Sequence, residues 1–308
     1  MFELVFLGTS ASRPTAERGL PALMVLHESE RFLIDCGEGT QRQLIRAALG
    51  YRRLRHVFLT HDHLDHVLGL GGLIASLSEM PEPTRLTIHA GREALALAER
   101  LARNVVLPET DQGATLEFVP LHAGQAIRAE GLSITPIPVV HRAGESFGFL
   151  FEEPARRHLD SGRAANLGVP AGPLRQSLSE GTAVTLEDGR RIVPDDVLGP
   201  SQTGTRLLVI GDAAETASLV APARGVDGLV IEATFLTRDA IEARRHGHLT
   251  AREAASLARD AGVGCLVITH ISARYEGHEL LAEARELFPA TELARDLSHV
   301  RIARGSRD

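Results

Sequence analysis

Three histidines and an aspartate, His61, His63, Asp65 and His66, stand together in the run THDHLDHVLGL from Thr60 to Leu70. Imidazole and carboxylate donors suit zinc, and the same set also accepts manganese, iron or cobalt. The run follows an apolar stretch, residues 56–60, that reads as a short buried strand. In an extended exit from a strand, alternate residues share a face. His61 and His63 therefore converge on one ion while Asp65 and His66 turn toward a second. Two such ions lower the pKa of water, supply hydroxide at neutral pH and stabilise charge on a phosphoryl group.

Strands must carry the other candidates to the same place. Residues 133–140 lead to His141, residues 206–210 to Asp212, residues 229–231 to Glu232 and residues 265–269 to His270. Asp35 follows the strand 31–34 in the same way. Groups that recur at the exits of apolar strands gather along one edge of packed sheets. Further strands are predicted at 2–7, 20–26, 85–89 and 116–119. Helices are predicted at 40–49, with Leu44, Ile45, Ala48 and Leu49 on one face and Gly50 as a stop, and at 73–77 and 92–107. Thr250 and Glu253 form a capping box that opens a helix with Ala254, Ala255, Leu257 and Ala258 inward and Gly262 as its stop. That cap places His248 in the short loop HGHLT; sequence alone places His246 equally well.

At 308 residues and 44% hydrophobic content the chain is long enough to bury a full core. A formal charge of −7 argues against a protein that coats nucleic acid nonspecifically, since such binders carry a net basic face. All 33 basic residues are arginines, so every basic contact is a planar fork suited to phosphate. No apolar run is long enough for a membrane span, and MFELVFLGTS reads as a strand and not as a signal peptide. These features lead us to expect a cytoplasmic protein. Cys36 and Cys265 sit in apolar, strand-like surroundings and read as buried free thiols. Residues 152–203 change character, with prolines and glycines throughout and a turn at Glu187-Asp188-Gly189, and read as a protruding arm containing a small hairpin.

Asp35, the run from His61 to His66, His141, Asp212 and His270, in that order and strand context, resemble the metallo-β-lactamase superfamily. FLIDCGEGTQRQL at 32–44, LGVPAGPL at 167–174, IEATF at 231–235, GHLT at 247–250 and THISARY at 269–275 narrow the resemblance to the tRNase Z (ribonuclease Z) family. It covers essentially the whole chain. The resemblance implies an α/β (α+β) fold: one αββα sandwich domain over residues 1–308, with a flexible exosite arm inserted at 152–203. It also implies two zinc ions per subunit and a homodimer whose arm grips the tRNA bound to the partner subunit. Carried over by position, His61, His63 and His141 would hold one zinc, Asp65, His66 and His270 the other, and Asp212 would bridge them. Asp35 would orient a ligand histidine, and Glu232 with His248 would form the acid–base pair.

Three departures from the family pattern stand out. H-E-A-T reads Ile231-Glu232-Ala233-Thr234, which keeps the glutamate. G-D-T reads Gly211-Asp212-Ala213, which removes a hydroxyl beside the ligand. The loop P-x-K-x-R-N reads Pro14-Thr15-Ala16-Glu17-Arg18-Gly19, so two groups associated with handling a CCA-bearing end are missing.

The expected reaction is hydroxide attack on a phosphodiester, removing the 3′ trailer of precursor tRNA and leaving a 3′-hydroxyl. Asp65 would orient the water, and His248 would protonate the leaving oxygen. Arg156, Arg157, Arg163 and Arg175 on the arm, with Arg18, are the candidate RNA contacts; neither DNA nor a membrane is an expected partner. One alternative is a hydrolase of small phosphodiesters or thioesters on the same fold, which would have no need of the arm. Another is a noncatalytic RNA-binding or scaffold member of the fold, which would typically have lost ligands that are all present here.

Overall fold

The computed structural model describes residues 1–51, 53–80, 84–106, 114–129 and 131–305. Two compact units result, Met1–Glu152 with Thr205–Asp308, and Glu153–Gly204. In chain order the strands begin with β1 Phe2–Gly8, β2 Ala22–His27, β3 Glu30–Ile34, β4 His56–Phe58, β5 Thr84–Ala90 and β6 Ala114–Pro120. Next come β7 Ile127–Ala129, β8 Leu132–Pro138 and β9 Phe147–Glu152, and then, in the second unit, β10 Arg156–Leu159, β11 Val184–Thr185, β12 Arg191–Ile192 and β13 Leu198–Gln202. The first unit resumes with β14 Arg206–Val209, β15 Gly228–Glu232, β16 Leu266–Thr269, β17 Thr291–Leu293 and β18 His299–Ile302.

Two seven-stranded sheets organise the first unit, in the orders β18-β1-β2-β3-β4-β5-β6 and β17-β16-β15-β14-β9-β8-β7. Alternation along β1 explains how they stack. Phe2, Leu4 and Phe6 join Phe32 and Phe58 from the first sheet and Phe149, Phe151, Val209, Val230 and Val267 from the second in one core between the sheets. Val5 and Leu7 face the opposite way, toward Leu44, Leu73, Ile74 and Ala94 on helices that cover the outer face. On the second sheet Leu208, Leu229, Ile231 and Ile268 likewise face Ala254, Ala258 and Leu280 of covering helices. A sheet buried on both faces needs apolar residues at nearly every position, which is why residues 4–7 of β1, 207–209 of β14 and 229–231 of β15 read as unbroken apolar runs. The layers are therefore α, β, β and α. No helix among the described residues is long and apolar enough to cross a membrane.

The capping box forms: the Thr250 hydroxyl accepts the Glu253 N–H at 3.2 Å, and the Glu253 carboxylate accepts the Thr250 N–H at 2.8 Å. The helix Ala251–Ala261 then ends on Gly262 at φ 62°. Elsewhere the boundaries move. The first helix is only Thr40–Arg46; Ala48 adopts a left-handed φ of 55°, and Ile45, expected inward, is 62% exposed. Leu44 alone of the predicted face is fully buried, because the helix ends before a second turn can return Ala48 to the sheet. The predicted helix 92–107 is α-helical over Arg92–Arg100 and π-helical over Leu101–Val106, while Leu107 lies outside the described residues. The predicted strand 133–140 stops at Pro138.

The second unit carries more structure than its turn-rich composition suggests. β10 pairs antiparallel with β13, and β11 with β12 across the Glu187-Asp188-Gly189 turn. Helices Ser161–Asn166, Pro173–Ser179 and Pro194–Val197 surround a small core of Ala164, Val169, Leu178, Ile192 and Val197. Asp160 caps the first helix by accepting the N–H groups of Gly162 and Arg163, each at 2.9 Å.

Candidate active site

In the first sheet β3, β4, β5 and β6 run parallel, as do β14, β15, β16 and β17 in the second. Asp35, the run from His61 to His66, Asp212, Glu232 and His270 lie at or just beyond the carboxyl ends of these strands, a recurrent position for sites in open α/β sheets, while His141 follows β8 and His248 the helix Ala240–His246. Beyond β4 the chain bends at Thr60 and again at Asp62, passes through His63 in extended backbone and then turns into the one-turn helix Leu64–Val67, which carries Asp65 and His66. Asp35, just past β3, accepts hydrogen bonds from the Thr60 N–H at 2.8 Å and from His66 Nδ1 at 2.7 Å. The Thr60 hydroxyl donates to the same carboxylate at 2.9 Å and lies 2.9 Å from His61 Nδ1. Asp35 and His270 both hold left-handed backbone, at φ 58° and 57°. Such strain costs about 1–3 kcal/mol per residue and persists where surrounding bonds over-determine it, as the bonds to Asp35 do.

The histidines meet around Asp212. Its Oδ2 lies 3.7 Å from both His61 Nε2 and His141 Nε2, and its Oδ1 lies 3.5 Å from His66 Nε2 and 3.2 Å from His270 Nε2. His63 Nδ1 stands 3.4 Å from His141 Nε2. Asp65 Oδ2 is 3.7 Å from the Nε2 atoms of His66 and His270. Among the described residues three overlapping sets have metal-ligand spacing: His61, His63, His141 and Asp212 on one side, Asp65, His66 and His270 on the other, and Asp212, His248 and His270 between them. One carboxylate oxygen of Asp212 faces each of the first two.

The opposite ring nitrogens are already engaged. His61 Nδ1 bonds Thr60, His66 Nδ1 bonds Asp35, His141 Nδ1 bonds the Gly247 carbonyl at 2.9 Å and His270 Nδ1 bonds the Thr234 hydroxyl at 3.0 Å. Those bonds leave the inward nitrogens as lone-pair donors, the tautomer a metal ligand needs. His61 Nε2, His66 Nε2, His270 Nε2 and Asp212 Oδ1 are buried without any hydrogen-bond partner. Four orphaned donors aimed at a common space are costly in a bare protein, and a divalent cation satisfies all of them. The cluster thus fits divalent metal. Ionisation agrees in part. Burial together with neighbouring His66 holds His61 well below its usual range, so it is neutral. Burial would raise Asp212, but the charges of His270 and His66 override it and keep the carboxylate ionised. His66 goes the other way: against burial, Asp212 and Asp35 raise it well above the ordinary histidine value, so a metal bound there displaces a proton.

Glu232, the last residue of β15, is fully buried and completely engaged. Its Oε1 accepts from His248 Nδ1 at 2.9 Å and the Ala213 N–H at 2.8 Å; its Oε2 accepts from the Thr234 hydroxyl at 2.5 Å and the Leu249 N–H at 3.2 Å. Where Ala213 replaces a threonine, its backbone still serves this carboxylate. Burial would lower the His248 pKa, but the charge and hydrogen bond of Glu232, with Asp212, overcome it and push it to about 9. His246 instead lies on the surface within 3.5 Å of Glu242, which separates the two histidines that sequence could not. Gly247, at φ 75° between them, has no room for a side chain because Arg142 packs 2.6 Å from where its Cβ would stand. Gly211 is similarly confined, 3.0 Å from Thr60.

The arginines fall outside this cluster. Arg18 is half-buried and donates to the Thr9 hydroxyl at 2.6 Å and the Ala294 carbonyl at 2.9 Å. Arg157 donates to the Gly199 and Leu198 carbonyls and to Asp195, and Arg175 donates to the Val169 carbonyl. Arg156 and Arg163 are exposed, Arg163 beside Asp160. Sequence reasoning passed over Thr60 and Thr234, although each lies within a quoted motif, because a threonine acquires a role only from what its hydroxyl touches.

Residues 30–162 match the beta-lactamase superfamily domain. The short form of human tRNase Z superposes with a TM-score of 0.68 at 23% identity, over 97% of this chain and 99% of that one. Fold and donor cluster together define a metal-dependent hydrolase of the metallo-β-lactamase fold. Ribonuclease Z of Bradyrhizobium diazoefficiens is 51% identical over 306 residues, covering 97% of this chain and 99% of the relative. Ribonuclease Z of a second Bradyrhizobium strain is 47% identical over 302 residues, covering 98% and 100%. The chain belongs to the ribonuclease Z family.

Proposed function

We propose that the chain is a zinc-dependent endoribonuclease that removes the 3′ trailer from precursor tRNA, acts as a homodimer and leaves a 3′-hydroxyl on the tRNA. The observation that carries this reading is the His248–Glu232 pair standing beside the two ligand sets that share Asp212. Two zinc ions, held by His61, His63, His141 and Asp212 and by Asp65, His66, His270 and Asp212, would supply Lewis-acid charge and activate water at neutral pH.

The chain's own residues account for the rest. Asp65, at the rim of the second set, orients the attacking water and accepts the proton it loses. As the water oxygen bonds to phosphorus, the bond from phosphorus to the 3′-oxygen breaks, and His248 gives its proton to that oxygen. Glu232 keeps His248 charged and fixes its ring, leaving Nε2 toward the substrate. Selectivity for tRNA comes from backbone and shape contacts on the inserted unit. Of these four arginines, Arg156 and Arg163 are the exposed ones and the better placed for phosphate. Exposed Ile45, Leu64 and Leu68 offer apolar surface to a second copy.

The test is cleavage of precursor tRNA by zinc-loaded protein, with product ends mapped to the nucleotide. A cut at the 3′ end of the tRNA body is expected, slowed about 100-fold or more in His248→Ala at unchanged zinc content. Absence of any cut, with small phosphodiesters still hydrolysed, would replace this reading with the small-substrate hydrolase.

A further inference from the structure

The first ligand set draws His61 and His63 from the exit of β4 in one sheet and His141 from the exit of β8 in the other, so its spacing depends on how two sheet edges are held together. His141 rides on the loop 139–146, closed at its base where the Val139 N–H donates to the Ser146 carbonyl at 2.9 Å. On its own side, the Val140 carbonyl accepts the Ala214 N–H at 2.7 Å, and His141 Nδ1 bonds the Gly247 carbonyl. Toward the first sheet, the Phe147 N–H donates to the Thr60 carbonyl at 2.9 Å, and the Gly144 N–H to Asp62 Oδ1 at 3.3 Å. Asp62 stands between His61 and His63.

The remaining attachment is reciprocal. Glu145 Oε2 accepts the N–H of Arg92, the first residue of the helix Arg92–Arg100 that follows β5, at 2.9 Å, and Glu145 Oε1 lies 3.3 Å from Arg92 Nη2. In return the Glu145 N–H donates to Glu93 Oε2 at 3.1 Å. A carboxylate at a helix start satisfies an N–H that has no partner within the helix and sits favourably in the dipole field. Glu145 therefore caps this helix from a distant segment. The approach is close: a Cβ on Gly91 would fall 2.7 Å from the Glu145 carbonyl oxygen.

The second set is joined across the sheets by other means. There the Ala11 N–H donates to the Ile271 carbonyl at 3.0 Å and the Ile271 N–H to the Thr9 carbonyl at 2.8 Å, with Thr9 directly after β1 and Ile271 directly after His270. Those are backbone bonds, which side-chain substitution leaves in place, whereas two carboxylates make the clasp beside His141. We propose that Glu93 and Glu145 are positioning residues for the first ligand set: by clasping the loop 139–146 to the helix after β5, they hold His141 against His61 and His63 and tune the affinity for that ion separately from the other. Neither carboxylate belongs to a ligand set. This rests on the two-ion reading above.

The test is a stepwise zinc titration of metal-stripped protein against a chromophoric chelator, which reads two affinities per subunit. Glu145→Ala should weaken one step about tenfold, the low end for groups that orient metal ligands, and leave the other unchanged. Glu145→Gln keeps an oxygen for the Arg92 N–H and should recover most of that loss. The weakened step should be the one that His141→Ala weakens, and adding Glu145→Ala to His141→Ala should cost nothing more. Should Glu145→Ala fail to fold, Glu93→Ala, which leaves the helix cap in place, makes the same comparison. Both steps weakened alike, or neither, would overturn the assignment, since a general loosening of the fold would not choose between the ions. A wild type that takes up a single zinc per subunit would remove the two-ion reading, and the clasp's role with it.

Discussion

The first sheet delivers His61, His63, Asp65 and His66 from one short stretch after β4, whereas the second delivers His141, Asp212, Glu232 and His270 from four different strand ends. The difference is one of range. In the run, mutual placement follows from a short exit, bent at Thr60 and Asp62, and one helical turn. On the second sheet it follows from sheet register, parallel for Val209 beside Val230 and Glu232 beside Thr269 and antiparallel for Thr135 beside Leu150, set by packing over the whole unit. Their supporting hydroxyls differ as well. Thr60 touches His61 and, through Asp35, supports His66, so it serves ligands only. Thr234 joins His270 to Glu232, and therefore links the histidine–aspartate cluster to the carboxylate that holds His248.

Asp212 is where the two routes meet, and its loss should have the largest effect. Asp212→Ala is expected to empty both ligand sets, read as metal per subunit by elemental analysis, and to lower precursor cleavage by more than about 100-fold. Retention of a full equivalent of metal would show that one set stands without the shared carboxylate.

A pair of isosteric substitutions sharpens the contrast between the hydroxyls. Thr60→Val should weaken metal binding by about 10–100-fold while cleavage recovers at saturating zinc. Thr234→Val should weaken metal binding to a similar degree, yet cleavage should stay reduced about tenfold at saturating zinc, because Glu232 has lost a donor and holds His248 less firmly. Identical behaviour of the two variants would erase the distinction.

The smallest expected effect concerns the two thiols, one near each sheet. Burial pushes Cys36 up to about 12 and Cys265 up to about 11. A raised pKa keeps the reactive thiolate scarce until the pH approaches those values, so neither cysteine should label readily at neutral pH. Half-buried Cys265 should react before Cys36 as the pH rises. The reverse order, followed by mass spectrometry of the native protein, would place the looser packing at the first sheet.

Legibility in the sequence followed the same division of range. The ligand run, the Thr250 cap and its Gly262 stop, and the apolar runs of the two-faced sheets depend on neighbours within a few positions, and all could be read directly. The first helix misled because Ile45 and Ala48 fit a helical period that the chain abandons after Arg46. Residues 152–203 read as an arm with a small hairpin, and the β11–β12 hairpin forms at the expected turn, but the core of that unit was not legible. Ala164, Val169, Leu178, Ile192 and Val197 are too scattered for any periodicity to announce a core, and they become one only when the three short helices and β12 pack together.

By itself, then, the sequence determined which residue types could bind metal and move protons, and that strand exits would carry them. Only the tertiary structure decided that the two oxygens of Asp212 face different ligand sets, that His248 and not His246 meets Glu232, and that Glu145 meets Arg92 and Glu93. The reason is physical. Spacing and periodicity act over a few residues, while the atoms that complete a site are brought together by sheet register and core packing between segments far apart in the chain.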